Sequence, residues 1–304
     1  MRDNILTTIA GTDVNSIVLD IKDYTGTLAY ASSSVVGPRG KGCKMYDLPE
    51  FLAELHEKGI YAIARVTVFQ DPLYATAHPD VAVQSISRPG HPWTDKNGLA
   101  FIDPDFVSYW DYIVAIAKEA HDIGFDEINF DYIRFPSDGD MSDVQFALPA
   151  GATKASVITG FFEYLHEMLS PAGIVISGDI FGQTTINHDD MGIGQILENA
   201  LPYFDYVLPM TYPSHFIHGF MGYENPAAFP YEIIKGTMMS AVERAAAAST
   251  SPLKIRPWLQ AFDLGAIYTP EMVRKQIQAV YDSGLTSWIL WDAANRYKRE
   301  ALMM

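Results

Sequence analysis

Glu127 to Pro136 reads EINFDYIRFP, and more of the architecture follows from it than from any other segment. β-forming residues carry Asn129 and Asp131 two positions apart, so both side chains leave the same face of a strand. An amphipathic segment, Asp105 to Ile123, precedes it, and the turn Pro136-Ser137-Asp138-Gly139 follows. That flanking marks one strand of a βα repeat. Burying an ionised Asp near the C-terminal end of such a strand is costly unless something there uses the charge. In a β/α barrel, active sites are built at that end. Asp131 is therefore the first catalytic candidate.

The same rhythm extends in both directions. Short apolar runs predict strands at Ile17–Lys22, Tyr61–Phe69, Glu127–Phe135, Ile174–Phe181, Tyr206–Tyr212, Ile255–Phe262 and Ser287–Asp292. Helices are predicted at Leu48–Lys58, Asp105–Ile123, Ser156–Leu169, Gly194–Leu201, Tyr231–Ala248 and Pro270–Ser283. Glycines at 59, 124 and 284 follow three of them, where a left-handed C-cap is wanted. The expected fold class is α/β, a (β/α)8 TIM-type barrel with seven strands visible and the first missing. Arg2 to Ala10 reads as the helix that would follow that absent strand. Residues 1–304 thus read as a single barrel domain, incomplete at its N-terminus; a seven-stranded barrel with an open seam is the alternative.

The 304 residues carry a formal charge of -16, with 48% hydrophobic and 19% charged residues. Such a chain has a substantial core and lacks the basic stripe that a nucleic-acid partner requires. Cys43 is the only cysteine, so no internal disulfide or thiolate metal site is expected. No apolar run reaches the ~18 residues of a membrane span, and the first 15 residues lack signal-peptide zones. A place in the cell envelope or outside the cell would need an export or anchor segment upstream, while a lone cysteine also fits the cytoplasm. Neither GxGxxG nor a Walker loop occurs, so no nucleotide cofactor is expected.

Applied to every strand, the period of two brings polar residues into register. Asp20 and Lys22 share a face, as do Arg65 and Thr67, Asn129 and Asp131, and Ser177 and Asp179. Met210 with Tyr212, Trp258 with Gln260, and Ile289 with Trp291 complete the set. Aromatic rings stack on the apolar face of a pyranose while charged groups bind its hydroxyls. Two carboxyl groups suffice for glycosidic cleavage, one protonating the leaving oxygen and the other attacking C1 or activating water. Asp131 and Asp179 are the expected pair. Asp20, Lys22, Arg65, Asn129, Tyr212, His215, Trp258, Gln260, Trp291 and Asp292 are the expected substrate contacts, with carbohydrate as the partner.

Each residue also has a plainer reading. Asp131 could pair with Arg134 or Lys22 to hold the barrel shut, and Asp179 could cap the following turn. Arg65 reads as the orienting partner of a carboxylate. The run His188-Asp189-Asp190 suggests metal ligation, but adjacent loop residues rarely converge on one ion, so no metal is expected. Two long connections, Asp71–Pro104 and Pro213–Pro230, are expected as walls of a cleft.

Seven segments in this order, VLDIKDYTG (Val18 to Gly26), IARVTVFQDP (Ile63 to Pro72), GFDEINFDYIRFPSDG (Gly124 to Gly139), SGDIFG (Ser177 to Gly182), MTYPSHF (Met210 to Phe216), RPWLQAF (Arg256 to Phe262) and LWDAANRY (Leu290 to Tyr297), carry a resemblance. Together they resemble an uncharacterised glycoside hydrolase family whose TIM barrel is distantly similar to α-amylase-type hydrolases. The resemblance implies a nucleophilic Asp at strand four and an acid at strand five. Counting the absent strand, these positions are Asp131 and Asp179. The sequence departs from that pattern in having Asp rather than Glu as the acid, and Asn129 where an Arg would stand. It also has Ala261 and Asp292 where family members often show an acid and an Asn. The expected activity is hydrolysis of a poly- or oligosaccharide without metal. The alternatives are a non-catalytic carbohydrate-binding barrel of the cell envelope and a metal-dependent hydrolase or deacetylase.

Overall fold

A computed structural model describes residues 2–32 and 45–303; Cys43 lies outside them. Seven parallel strands alternate with helices, which gives the α/β class and the repeat of a (β/α)8 barrel lacking one strand. The strands are β1 (Ser16–Lys22), β2 (Tyr61–Thr67), β3 (Glu127–Asp131), β4 (Val175–Phe181), β5 (Tyr206–Met210), β6 (Trp258–Gln260) and β7 (Ile289–Trp291). The helices are α1 (Arg2–Ile9), α2 (Leu48–Glu57), α3 (Pro72–Ala77), α4 (Val107–Ile123), α5 (Lys154–Leu169), α6 (Leu197–Ala200), α7 (Pro230–Ala247) and α8 (Pro270–Asp282). The chain divides into two compact units, one of residues 16–179 and 189–205, the other of residues 1–15, 180–188 and 206–304.

In the first unit the strands follow chain order, with β2 between β1 and β3, and β4 beyond β3. α2 buries Leu48, Phe51, Leu52 and Leu55, the spacing of one helical face. α4 buries Tyr109, Ile113, Ile116, Ala117 and Ala120 in the same way and stops at Gly124, whose φ is +121°. Close packing explains Gly178 on β4: a Cβ there would stand 2.7 Å from the Phe204 ring.

The register places Asp20, Arg65, Asn129 and Ser177 in one row across the four strands. Between Asp20 and Lys22 the register slips, so that Lys22 aligns with Val66. The expectation that Asp20 and Lys22 share a face is thereby corrected: a bulge adds one residue and turns Lys22 to the other side. β3 is also shorter than expected. Tyr132, at φ +53°, leaves the extended conformation directly after Asp131.

The long segment after β2 is built rather than loose. It holds α3 and the strand Gln84–Ser85, which pairs antiparallel with Val144–Gln145 from the connection after β3. Val83, Trp93 and Phe101 form a small core beneath it, with Tyr132, Val144 and Phe146 packed against them.

The second unit contains β5, β6 and β7 in chain order. Its register aligns Met210 with Trp258, Trp258 with Ile289, and Gln260 with Trp291. Both β6 and β7 are three residues long, against the longer runs expected from the apolar pattern.

Candidate active site

The polar face of the first unit is organised by Arg65. Its guanidinium meets three carboxylates: Asp20 Oδ1 at 2.6 Å from Nη1, Asp131 Oδ2 at Nη2, and Asp179 Oδ2 at 3.7 Å from Nε. One planar cation with a fixed fork of donors can hold acids from three strands at once. Burial opposes the Arg65 charge, but Asp131, Asp20 and Asp179 outweigh it and hold the guanidinium well above the ordinary arginine range.

Asp131 and Asp179 differ in their remaining partners. Asp131 Oδ1 accepts the backbone N–H of Tyr132 at 2.6 Å. The left-handed turn at Tyr132 aims that N–H back at the preceding side chain. Asp179 Oδ1 accepts from Asn129 Nδ2 at 2.9 Å, and the same amide donates to Ser177 Oγ at 3.1 Å. Its backbone carbonyl accepts from Gln195 Nε2 at 3.3 Å. Asp131 is 3% exposed and Asp179 1%, whereas the Asp20 side chain is 42% exposed. The acidic group therefore opens to solvent at Asp20.

Lys22 belongs to a different arrangement. Fully buried, its Nζ lies 2.9 Å from Asp71 Oδ2 and donates to the Thr67 carbonyl at 2.7 Å. Tyr109 donates to the same Asp71 oxygen at 2.9 Å, and Asp71 Oδ1 caps α3 by accepting the Tyr74 N–H at 2.8 Å. Asp71 is thus a partner that the strand pattern does not indicate; the Asp-Pro pair that opens α3 is the signal that could have found it.

The other expected contacts lie in the second unit. Tyr212 is buried edge-on to His215 and Phe262, with ring centroids 5.2 and 5.5 Å away. Trp258 and Trp291 meet at 5.9 Å in a perpendicular pair. Gln260 is fully buried: its amide accepts the Ser214 N–H at 3.1 Å and donates to the Phe262 carbonyl at 3.0 Å and the Leu264 carbonyl at 3.2 Å. Asp292 accepts the Ala294 N–H at 2.7 Å and lies 3.8 Å from Arg296. Gln260 and Asp292 each organise the turn that follows their own strand.

Among the described residues no three His, Cys, Asp or Glu side chains converge as metal ligands. Asp189 and Asp190 instead accept the N–H groups of Met191 and Gly192 within their own turn. Among the described residues, no helix is long and apolar enough to cross a membrane.

The chain as a whole has relatives. The family described as "Putative glycosyl hydrolase domain" matches residues 1–297. The chain belongs to that family. With it, the chain is an enzyme of the glycoside hydrolase class. A hypothetical protein from Ruminiclostridium thermocellum is 33% identical over 63% of this chain and 91% of its own, with a TM-score of 0.52. The PgaB (BpsB) glycoside hydrolase domain of Bordetella bronchiseptica shares 17% identity over 98% of this chain and 90% of its own, with a TM-score of 0.64. A chitinase from Chromobacterium violaceum shares 14% over 98% and 92%, at 0.55. At those last two identities the likeness concerns the fold alone. No curated protein matches the chain.

Proposed function

We propose that the chain hydrolyses a glycosidic bond of a poly- or oligosaccharide with Asp131 and Asp179. The observation carrying this reading is the Arg65 guanidinium, which draws both carboxylates to one face of neighbouring strands. Residues opposed on adjacent parallel strands stand about 5 Å apart at their Cα atoms, a spacing compatible with the separation of glycosidase acid pairs.

The partners divide the roles. Asp131 meets the Arg65 cation and a backbone N–H. It attacks C1 or activates water. Asp179 has a neutral amide at one oxygen and a more distant guanidinium nitrogen at the other, within a fully covered position. In this reading Asp179, buried beside a second carboxylate, delivers the proton to the leaving oxygen. Asp20 is the member placed to meet hydroxyls, and Asn129 with Ser177 fixes the direction of Asp179.

The burial of both acids favours a second reading, in which the cluster only holds strands together and another group breaks the bond. Incubation with a panel of α- and β-linked polysaccharides, with reducing ends as the readout, separates the two. The first reading expects release by the parent protein and none by Asp131→Asn, with sugar binding kept. Equal release by parent and variant would falsify the assignment of Asp131.

A further inference from the structure

Beside Asp131 lies a pocket that the two acids do not use. Its volume is about 250 Å³, and Tyr24, Gln70, Asp95, Tyr132, Arg134 and Asp138 contribute to its lining. Tyr132 ties it to the acid, since its N–H binds Asp131 Oδ1. Burial, and then the charge of Asp131, raise the Tyr132 phenol above its ordinary range.

The walls are preorganised. Tyr24, 53% exposed, is carried on a turn in which Asp23 Oδ1 accepts the Thr25 N–H at 2.8 Å and the Thr27 N–H at 3.2 Å. Gln70 donates to the Tyr24 carbonyl at 3.2 Å, joining two sides. Arg134 lies over the rings of Tyr132 at 5.3 Å and Phe101 at 5.9 Å and donates to Ser137 Oγ at 3.2 Å. Behind them, Trp93 donates to the Asp140 carbonyl at 3.0 Å, and a Cβ at Gly139 would stand 2.8 Å from its ring. Such a floor cannot shift without disturbing the small core of Val83, Trp93 and Phe101.

Size, rings and charge define the occupant. The volume is below the ~300–1,000 Å³ of sites for drug-sized ligands and suits one ring rather than an extended chain. Two tyrosines supply flat apolar surface, and the remaining side chains supply donors and acceptors at several heights. Asp138 is paired with Lys96 at 3.3 Å and Asp95 offsets Arg134, so the excess negative charge comes from the Asp131 cluster next door. An anionic ring would be repelled.

We infer that this pocket is a saccharide subsite adjoining Asp131 that takes a pyranosyl unit bearing no carboxylate, neutral or amino-substituted. It rests on the reading that the chain acts on a glycoside, but its test does not depend on turnover. Calorimetric titration of full-length Asp179→Asn protein would use cello-, malto-, chito- and chitosan pentasaccharides, with penta-galacturonate as the anionic probe. At least one uncharged or amino-bearing pentamer should bind saturably, and penta-galacturonate at least tenfold more weakly. Adding Tyr24→Ala should weaken the best ligand roughly tenfold, while Tyr24→Trp preserves it. Asp138→Lys, a change at an exposed side chain, should narrow the gap to galacturonate. Saturable binding by none of the pentamers, unchanged affinity in Tyr24→Ala, or equal affinity for galacturonate would each overturn the inference. Failure of the catalytic reading shows instead as wild-type turnover in Asp131→Asn and leaves these titrations interpretable.

Discussion

Lys22 and Arg65 lie on the neighbouring strands β1 and β2, yet the ion pairs they make are balanced differently. Lys22 meets one acid, and its ammonium, the Asp71 carboxylate and the Tyr109 hydroxyl satisfy one another in full burial. Arg65 meets three acids, and one of those side chains remains 42% exposed. A one-to-one buried pair has nothing left to offer a ligand. Three acids share one cation in the other group, and that imbalance supports the proposed reading of it as a site rather than a clasp. The β-bulge between Asp20 and Lys22 makes the division by sending the two side chains to opposite faces.

Substitutions at the two cations should therefore separate stability from turnover. Lys22→Met strands the buried Asp71 carboxylate, and the largest effect is expected there, a loss of about 3–5 kcal/mol. Urea denaturation would measure it, with turnover of the remaining folded protein near that of the parent. Arg65→Met should reverse the pattern. Its acids lose their common anchor, and a displaced reacting group costs roughly 10²-fold in rate, read as kcat on the hydrolysed substrate. Similar losses of both quantities in both variants would remove the distinction.

The contrast between these two sites is only partly written in the apolar pattern of the sequence. Strands β1 to β4 and all the longer helices are legible from apolar periodicity and glycine stops, because their core faces repeat without interruption. Arg65 as an orienting partner is legible too, since a lone cation facing a row of acids has few other uses. The bulge at Lys22 is not, because one added residue leaves no mark in composition. Asp71 and α3 were concealed within a long connection rich in Pro and Gly. The short β6 and β7 reflect side chains such as Gln260, whose hydrogen bonds to its own turn compete with extension of the ladder.

Two smaller effects probe the clasp and its surroundings. Gly26 has φ +85°, and a Cβ there would stand 1.9 Å from Asp71 Oδ1. Gly26→Ala should destabilise by about 1–3 kcal/mol through overpacking, visible as a lower thermal midpoint. Parent-like stability would show that Asp71 has room to move. Asp103 provides a buried acid held by backbone donors, the N–H groups of Ala147 at 2.6 Å and Asp105 at 3.3 Å. Burial raises its carboxyl above the ordinary range. The folded chain then binds that proton more tightly than the unfolded one. Its stabilising contribution is full below the ordinary aspartate value and fades as pH rises through the raised one. Relative to Asp103→Asn, the parent's urea midpoint should fall with increasing pH across that window; a constant difference would contradict the assignment.

Leaving-group dependence tests the division of labour between Asp131 and Asp179 most directly. On aryl glycosides of the sugar that the polysaccharide screen identifies, Asp179→Asn should regain turnover as the departing phenol becomes more acidic and needs no proton. Asp131→Asn should stay inactive throughout that series. If both variants hydrolyse every aryl glycoside at the parent's rate, the two aspartates are scaffolding and the bond is broken elsewhere.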